Sequence, residues 1–312
     1  MKTVEELKNS LEGILGEGLN IRVYLGVGKS PDREYLRADV SPEDAVVLCE
    51  QFVSSLRRYF DNEDLETFEL SRLDERANAL YAYDLDEQPE EFGAIRELHD
   101  GNEPALFTFQ GRAVSDVKAL VVKISSPRTS ATFYKQVFPV SIVRREQILL
   151  SWRTNRFEIL NEDVLKILPG FDVMLMDDEF YVSSLPRFEK EFAFERVAKK
   201  AMEDVVQMVF AMAMVDDVKG YLANLDLAKK HVLRAKHSPA FEMESQAIIA
   251  FVENHPTYGL RVADGKIQLR SKSSVRYLFK LLNEDILKSE LTQTVYDARA
   301  KDLFEPPEEG AA

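Results

Sequence analysis

Five cations crowd one short stretch near the C-terminus: Arg261, Lys266, Arg270, Lys272 and Arg276. They flank Asp264-Gly265, a dipeptide suited to the positive backbone angles of a two-residue hairpin turn. Cations on a hairpin and on the helix after it can meet successive phosphates of a nucleic acid. The same residues would serve equally as solvated surface charges, and the spacing leaves both readings open. A second cationic set, Lys123, Arg128 and Lys135, falls on two strand-like runs and the loop between them. Its alternatives are an anion-facing surface or charges that protect a sheet edge.

The acidic candidates are Asp172, Asp177, Asp178 and Glu179. Carboxylates so close together could hold magnesium for phosphodiester hydrolysis. A restriction-type centre, however, also needs an E-x-K on the following strand, whose lysine steadies the attacking water. No E-x-K follows there; Glu189-Lys190 lies beyond Pro186, at the start of a helix. A metal-dependent nuclease is therefore one alternative reading; the other is a protein-protein adaptor whose acidic face and methionine-rich helix after Pro186 bind protein and never DNA. A further run of acids between Asp84 and Glu103 lacks the alternating pattern of a calcium loop and reads as a solvated surface. Gly26 to Ser30, GVGKS, ends like a phosphate-binding loop, but Val23 stands where the first glycine belongs and Pro31 opposes the helix that would follow. It reads as a turn. Four histidines and one cysteine are too scattered for a zinc site, so no cofactor is expected.

The elements that would position these residues divide by period. Residues 4–15 repeat at helical spacing and 20–27 read as a strand. Ser41-Pro42-Glu43-Asp44 opens a helix to about Tyr59, burying Val46, Val47, Cys49, Phe52, Val53 and Leu56. Strand-like runs follow at ALFTFQ, VKALVVKIS and SATFYKQVF, and then a hairpin that turns at Asp177-Asp178. From Pro186 the period becomes helical to about Val215, with further helices over 218–233 and 241–254. The hairpin Tyr258–Arg270 interrupts them, in a helix–hairpin–helix order like that of a winged domain. The last stretch, Ser273–Phe304, reads as a compact helical terminus whose Leu278, Phe279, Leu282, Leu287 and Leu291 pack inward. The expectation is an α+β protein: a mixed N-terminal domain with antiparallel sheet over 1–185, a mainly helical domain over 186–304 with one hairpin, and a disordered tail, 305–312.

At 312 residues and a net charge of −14, the chain as a whole is unsuited to non-specific nucleic-acid binding. The charge is uneven, though: residues 228–304 hold 13 basic and 9 acidic side chains, against 27 and 42 before them. One cationic face on an acidic body suits a protein that meets a polyanion locally. No apolar run reaches bilayer length, and the acidic amphipathic start is unlike a leader peptide. A lone Cys49 fits a reducing compartment.

Two segments resemble the KwaB-like family, cytosolic components of the bacterial Kiwa anti-phage system. One is the strand pair entered by Asp172, with its helix start Phe188-Glu189-Lys190-Glu191-Phe192; the other runs from Leu282-Asn283-Glu284-Asp285 to Ser289-Glu290-Leu291-Thr292. Gln293 stands where relatives commonly carry glycine. The resemblance implies a cytosolic homodimer at the inner face of the membrane, beside a small multi-pass KwaA-like protein. It also implies binding of phage double-stranded DNA that blocks replication or transcription. No catalytic motif carries over with it.

Overall fold

The computed structural model describes residues 1–15, 19–30, 32–73, 76–108, 110–127, 129–138, 142–143, 149–153, 156–160, 164–224 and 229–298. Arg128 and the tail 305–312 lie outside them. The chain is α+β and forms two compact units, Met1–Leu70 with Asn78–Glu195 and Ser71–Ala77 with the residues from Arg196 onward.

The first unit is built on an eight-stranded sheet. Its strands are β1 (Asn20–Val27), β2 (Glu34–Arg37), β3 (Glu66–Glu69), β4 (Ala79–Ala82), β5 (Val117–Ser125), β6 (Ser130–Gln136), β11 (Val173–Met176) and β12 (Glu179–Val182). Between β6 and β11 come β7 (Ile142–Val143), β8 (Leu149–Arg153), β9 (Arg156–Leu160) and β10 (Val164–Leu165), in two small antiparallel pairs. The large sheet runs β2-β1-β5-β6-β11-β12-β4-β3, antiparallel except for β3 beside β4. Helices α1 (Val4–Ile14) and α2 (Pro42–Phe60) start at capped serine or threonine, Thr3 in a capping box with Glu6 and Ser41 accepting from the Asp44 amide. Their Leu7, Leu11, Ile14, Phe52 and Leu56 share one core with Leu120, Val122, Phe133 and Met174 of the sheet. Alternate residues point the other way, toward α3 (Glu90–Asp100), where Phe92 stacks on Phe180 at 3.8 Å. Sheet positions buried on both faces explain why β5 reads as a nearly unbroken apolar run.

The second unit holds most of α5 (Phe194–Ala211), then β13 (Val215–Asp216), α6 (Lys229–Arg234), α7 (Ser245–Asn254), β14 (Val262–Ala263), β15 (Lys266–Gln268) and α8 (Lys272–Leu282). A last pair, β16 (Ile286–Lys288) and β17 (Val295–Asp297), forms its own hairpin. Helix α4 (Leu185–Glu191) closes the first unit.

Several expectations change here. Val46 and Val47 are exposed, because only the later turns of α2 carry the buried face. Among its described residues, ALFTFQ makes a single parallel bridge, Arg37 to Leu106, instead of a strand. The helical run after Pro186 is broken at Ala193, whose φ of 47° ends α4 and restarts the chain as α5. Of the helix expected over 218–233, the described residues form turns and the short α6. Among the described residues the terminus is not helical beyond Leu282: Glu284 takes a φ of 56° and the chain turns into β16. Leu287 is consequently exposed, and Leu291, at the hairpin tip, is 94% exposed.

Candidate nucleic-acid interface

Asp264 and Gly265, with φ of 52° and 71°, make the expected turn, and Val262 faces Ile267 across it. Ile267 is buried and anchors the hairpin, while β13 extends it in parallel on the other side of β15. The side-chain amide of Gln268, also buried, donates to the Ala263 carbonyl at 3.0 Å and to that of Lys266 at 3.3 Å. The turn is thus closed from within, and Arg261, Lys266 and Arg270 are left exposed. Ser271 then caps α8 by accepting from the Ser274 amide at 3.2 Å. Lys272 and Arg276, four residues apart, share an exposed face of that helix that flanks buried Val275, Leu278, Phe279 and Leu282. The five cations thus belong to one compact unit and are all exposed. Arg270 is the tethered member, donating to the Gln268 side chain and lying 3.5 Å from Asp216.

Lys123 and Lys135 of the second cationic set do not gather. Lys123 pairs with Thr132 and Lys135 with Leu120 in the β5–β6 register, which puts the two lysines on opposite faces of the sheet. Lys123 donates to the His99 carbonyl on the α3 side, while Lys135 stands near Gly170. Burial pulls both ammonium groups below the ordinary lysine range; nearby Arg22 adds to this for Lys123, and Asp172 opposes it for Lys135. Burial, and then Lys123, likewise lowers the His99 imidazole, which sits 3.0 Å from the Thr132 hydroxyl.

The four acids are dispersed among separate partners. Asp172 is buried and accepts from the Gln136 amide and from Arg187, both at 2.8 Å. Asp177 pairs with Lys2, Asp178 lies 3.5 Å from Arg96, and Glu179 accepts from the Tyr181 hydroxyl. Asp177 and Asp178, with φ of 52° and 65°, are the two turn residues between β11 and β12. Among the described residues no three His, Cys, Asp or Glu side chains stand where they could hold a metal ion. GVGKS is a strand end and turn leading into β2, so no helix follows to present its amides.

Charge pairing that was not legible in the spacing lies in the interior. Arg33 is almost wholly buried; it donates to Glu191 at 2.6 Å and to Tyr134, and approaches Glu91 at 3.9 Å. Glu191 also accepts from Tyr134 at 2.8 Å and from the Gln136 side chain at 2.5 Å. Burial pushes the Glu91 carboxyl above its ordinary range, with Ser30 and Arg33 pulling the other way. The clue in the sequence was Gly26: a Cβ there would meet Arg33 Cδ at 2.7 Å and Ala119 Cβ at 2.9 Å. The glycine of GVGKS makes room for an arginine, not a phosphate.

In the second unit, Asp285 is fully buried and accepts from both terminal nitrogens of Arg234 at 3.0 Å. The Asn283 side chain donates to the His231 carbonyl at 2.9 Å. Asn283-Glu284-Asp285 therefore ties the end of α8 to α6, with Glu284 supplying the left-handed turn. The helix start after Pro186 is structural in the same way: Phe188 and Phe192 pack on Phe92, and Glu191 takes Arg33.

The family model described as Kiwa protein KwaB-like matches residues 114–292. The chain is 23% identical to Kiwa protein KwaB of Escherichia coli O55:H7 (strain RM12579 / EPEC), over 97% of this chain and 99% of that one. No solved structure matches it.

Proposed function

Because the chain belongs to the Kiwa protein KwaB-like family, and so to Kiwa anti-phage defence, we propose that it acts there as a DNA-binding effector. It would engage phage double-stranded DNA through the cationic hairpin and the first turns of α8, and block replication or transcription. The observation that carries this reading is the set of five exposed cations, Arg261, Lys266, Arg270, Lys272 and Arg276, on a chain of net charge −14. An acidic body repels a polyanion everywhere except at such a surface, which confines contact to one orientation. A small multi-pass membrane protein of the KwaA kind is the proposed partner, reached from the cytosolic side, with the protein working as a homodimer. No helix among the described residues is long and apolar enough to cross a membrane. Lys123 and Lys135 are less suited to phosphate contact, since burial already disfavours their charge and they point to opposite faces of a sheet.

The test is binding to long duplex DNA across a salt series. Affinity should fall steeply with salt, and the triple variant Lys266→Glu, Arg270→Glu, Lys272→Glu should lose both binding and phage protection. Full protection by that variant, or no duplex binding at low salt, would sink the reading.

A further inference from the structure

Beside the cations lies a set of aromatic rings that duplex binding does not use. At the end of α7 the Phe251 ring stacks on the His255 imidazole, with centroids 4.1 Å apart and planes 20° from parallel. His255 Nδ1 donates to the Phe251 carbonyl at 2.8 Å, which fixes the imidazole in that position. His255 in turn stacks on Tyr258, at 5.4 Å and 25°. Phe251 also lies against Tyr258, at 5.7 Å with the rings tilted by 45°; Tyr258 is buried, so the three-ring cluster is footed in the core, while Phe251 is 38% exposed.

The next residue, Gly259, has a φ of 77°, and the ring of Tyr277 lies against it; a Cβ there would come within 2.8 Å of that ring. Tyr277 is also 38% exposed and stands off the buried stripe of α8, next to Arg276. Arg261 leaves the same turn two residues after Gly259. From Phe251 to Tyr277 the chain carries five basic and two acidic side chains, Glu253 and Asp264, against a net charge of −14 overall.

Held rings with exposed surface, interleaved with cations, match unpaired nucleotides: bases stack on aromatic faces while the backbone follows positive charge. A duplex offers its phosphates but keeps its bases stacked on one another, and so gains nothing from the rings. We infer that the surface formed by Phe251, Tyr277, Arg261 and Arg276 binds single-stranded DNA, and that exposed strands are its preferred form of the polymer. This rests on the DNA-binding reading above and narrows its ligand. Charge complementarity selects the occupant, because an apolar partner would leave these arginines buried without counter-charges.

The experiment is fluorescence anisotropy of the full chain with a labelled oligothymidine and with a duplex of matched length, at one low salt concentration. The native protein should bind the single strand more tightly. Tyr277→Ala and Phe251→Ala should each weaken strand binding at least about fivefold and change duplex binding less than about twofold, as expected for loss of one stacked base. Tyr277→Phe and Phe251→Trp should keep strand binding. Because Tyr277 also packs on Gly259, thermal unfolding is followed in parallel, and Phe251→Ala carries the comparison if Tyr277→Ala fails to fold. Equal strand and duplex binding that neither alanine variant changes would overturn the inference and leave the DNA-binding reading standing. Equal weakening of both ligands would overturn it too, since the rings would then support the fold or the phosphate contacts. Absence of binding to either ligand would remove both readings together.

Discussion

Arg33 shows how a single side chain is fixed by its neighbours. It is a guanidinium taken almost wholly out of water, flanked by Glu191 and Glu91 and bonded to Tyr134. Taking a charge into the interior is costly, and the cost is recovered only while every partner is present. Arg33→Met should therefore destabilise the protein by about 3–5 kcal/mol, because two carboxylates are left buried without their cation; urea unfolding measures it. Glu91 supplies a pH signature. Its carboxyl is pushed above its unfolded value by burial, so the native state holds that proton more firmly than the unfolded chain does. Its contribution favours folding below the unfolded value and is lost as pH rises through the folded one. Glu91→Gln, which mimics the protonated form, should gain stability relative to the native protein as pH rises through that window. A difference that is constant with pH would contradict the assignment. Gly26 belongs to the same cluster: Gly26→Ala should lower stability by about 1–3 kcal/mol, since its methyl group would press on Arg33 and Ala119.

At the level of elements, the second family segment acts as a joint. Helix α8 ends at Asn283, Glu284 turns the chain left-handed, and buried Asp285 clamps Arg234 of α6 before β16 begins. Asp285→Ala should cost about 3–5 kcal/mol by removing the carboxylate that takes both terminal nitrogens of Arg234, while the double variant Arg234→Met, Asp285→Leu should recover much of it. A double-mutant cycle by chemical unfolding reads this coupling directly; additive effects would mean that the clamp carries no coupling energy. The motif that most resembled the family in sequence is thus a structural one, and the cations sit on the hairpin and helix before it. The hairpin itself was legible because Asp-Gly turns are local: the backbone angles they need depend on those two residues alone. The segment 286–291 reads as helix in sequence because its leucine spacing fits either period, and only the hairpin pairing of Ile286–Lys288 with Val295–Asp297 selects the strand.

For the whole molecule, the distribution of charge matters more than its total. If DNA contact is limited to the exposed cations of the hairpin and α8, their number sets how steeply affinity falls with salt. With four or five phosphates neutralised, the logarithm of affinity should fall with that of salt at a slope of about −4. A slope far steeper would mean that other surfaces, or several copies of the chain, contribute. Substituting Lys272 by glutamine should reduce the slope by about one, which separates a phosphate contact from a solvated charge.

Sequence by itself determined what depends on neighbours along the chain: the capped start of α2 is local, as are the Asp-Gly and Asp-Asp turns. The alternation of sheet faces and the uneven charge follow from composition and period. From these came the α+β class and the cationic hairpin. The tertiary structure decided which charges are available. Arg33 and Glu191 are 158 positions apart, and Arg234 and Asp285 are 51 apart. Nothing local marks either pair, because burial and pairing arise only when distant segments meet. Lys123 and Lys135, close in sequence, end on opposite faces because a strand register fixes side-chain direction. Phe251, His255 and Tyr277 become one neighbourhood only once α7 and α8 fold back on the turn at Gly259. The chain alone records how much charge there is; folding settles which of it meets water, and so which surface can meet another molecule.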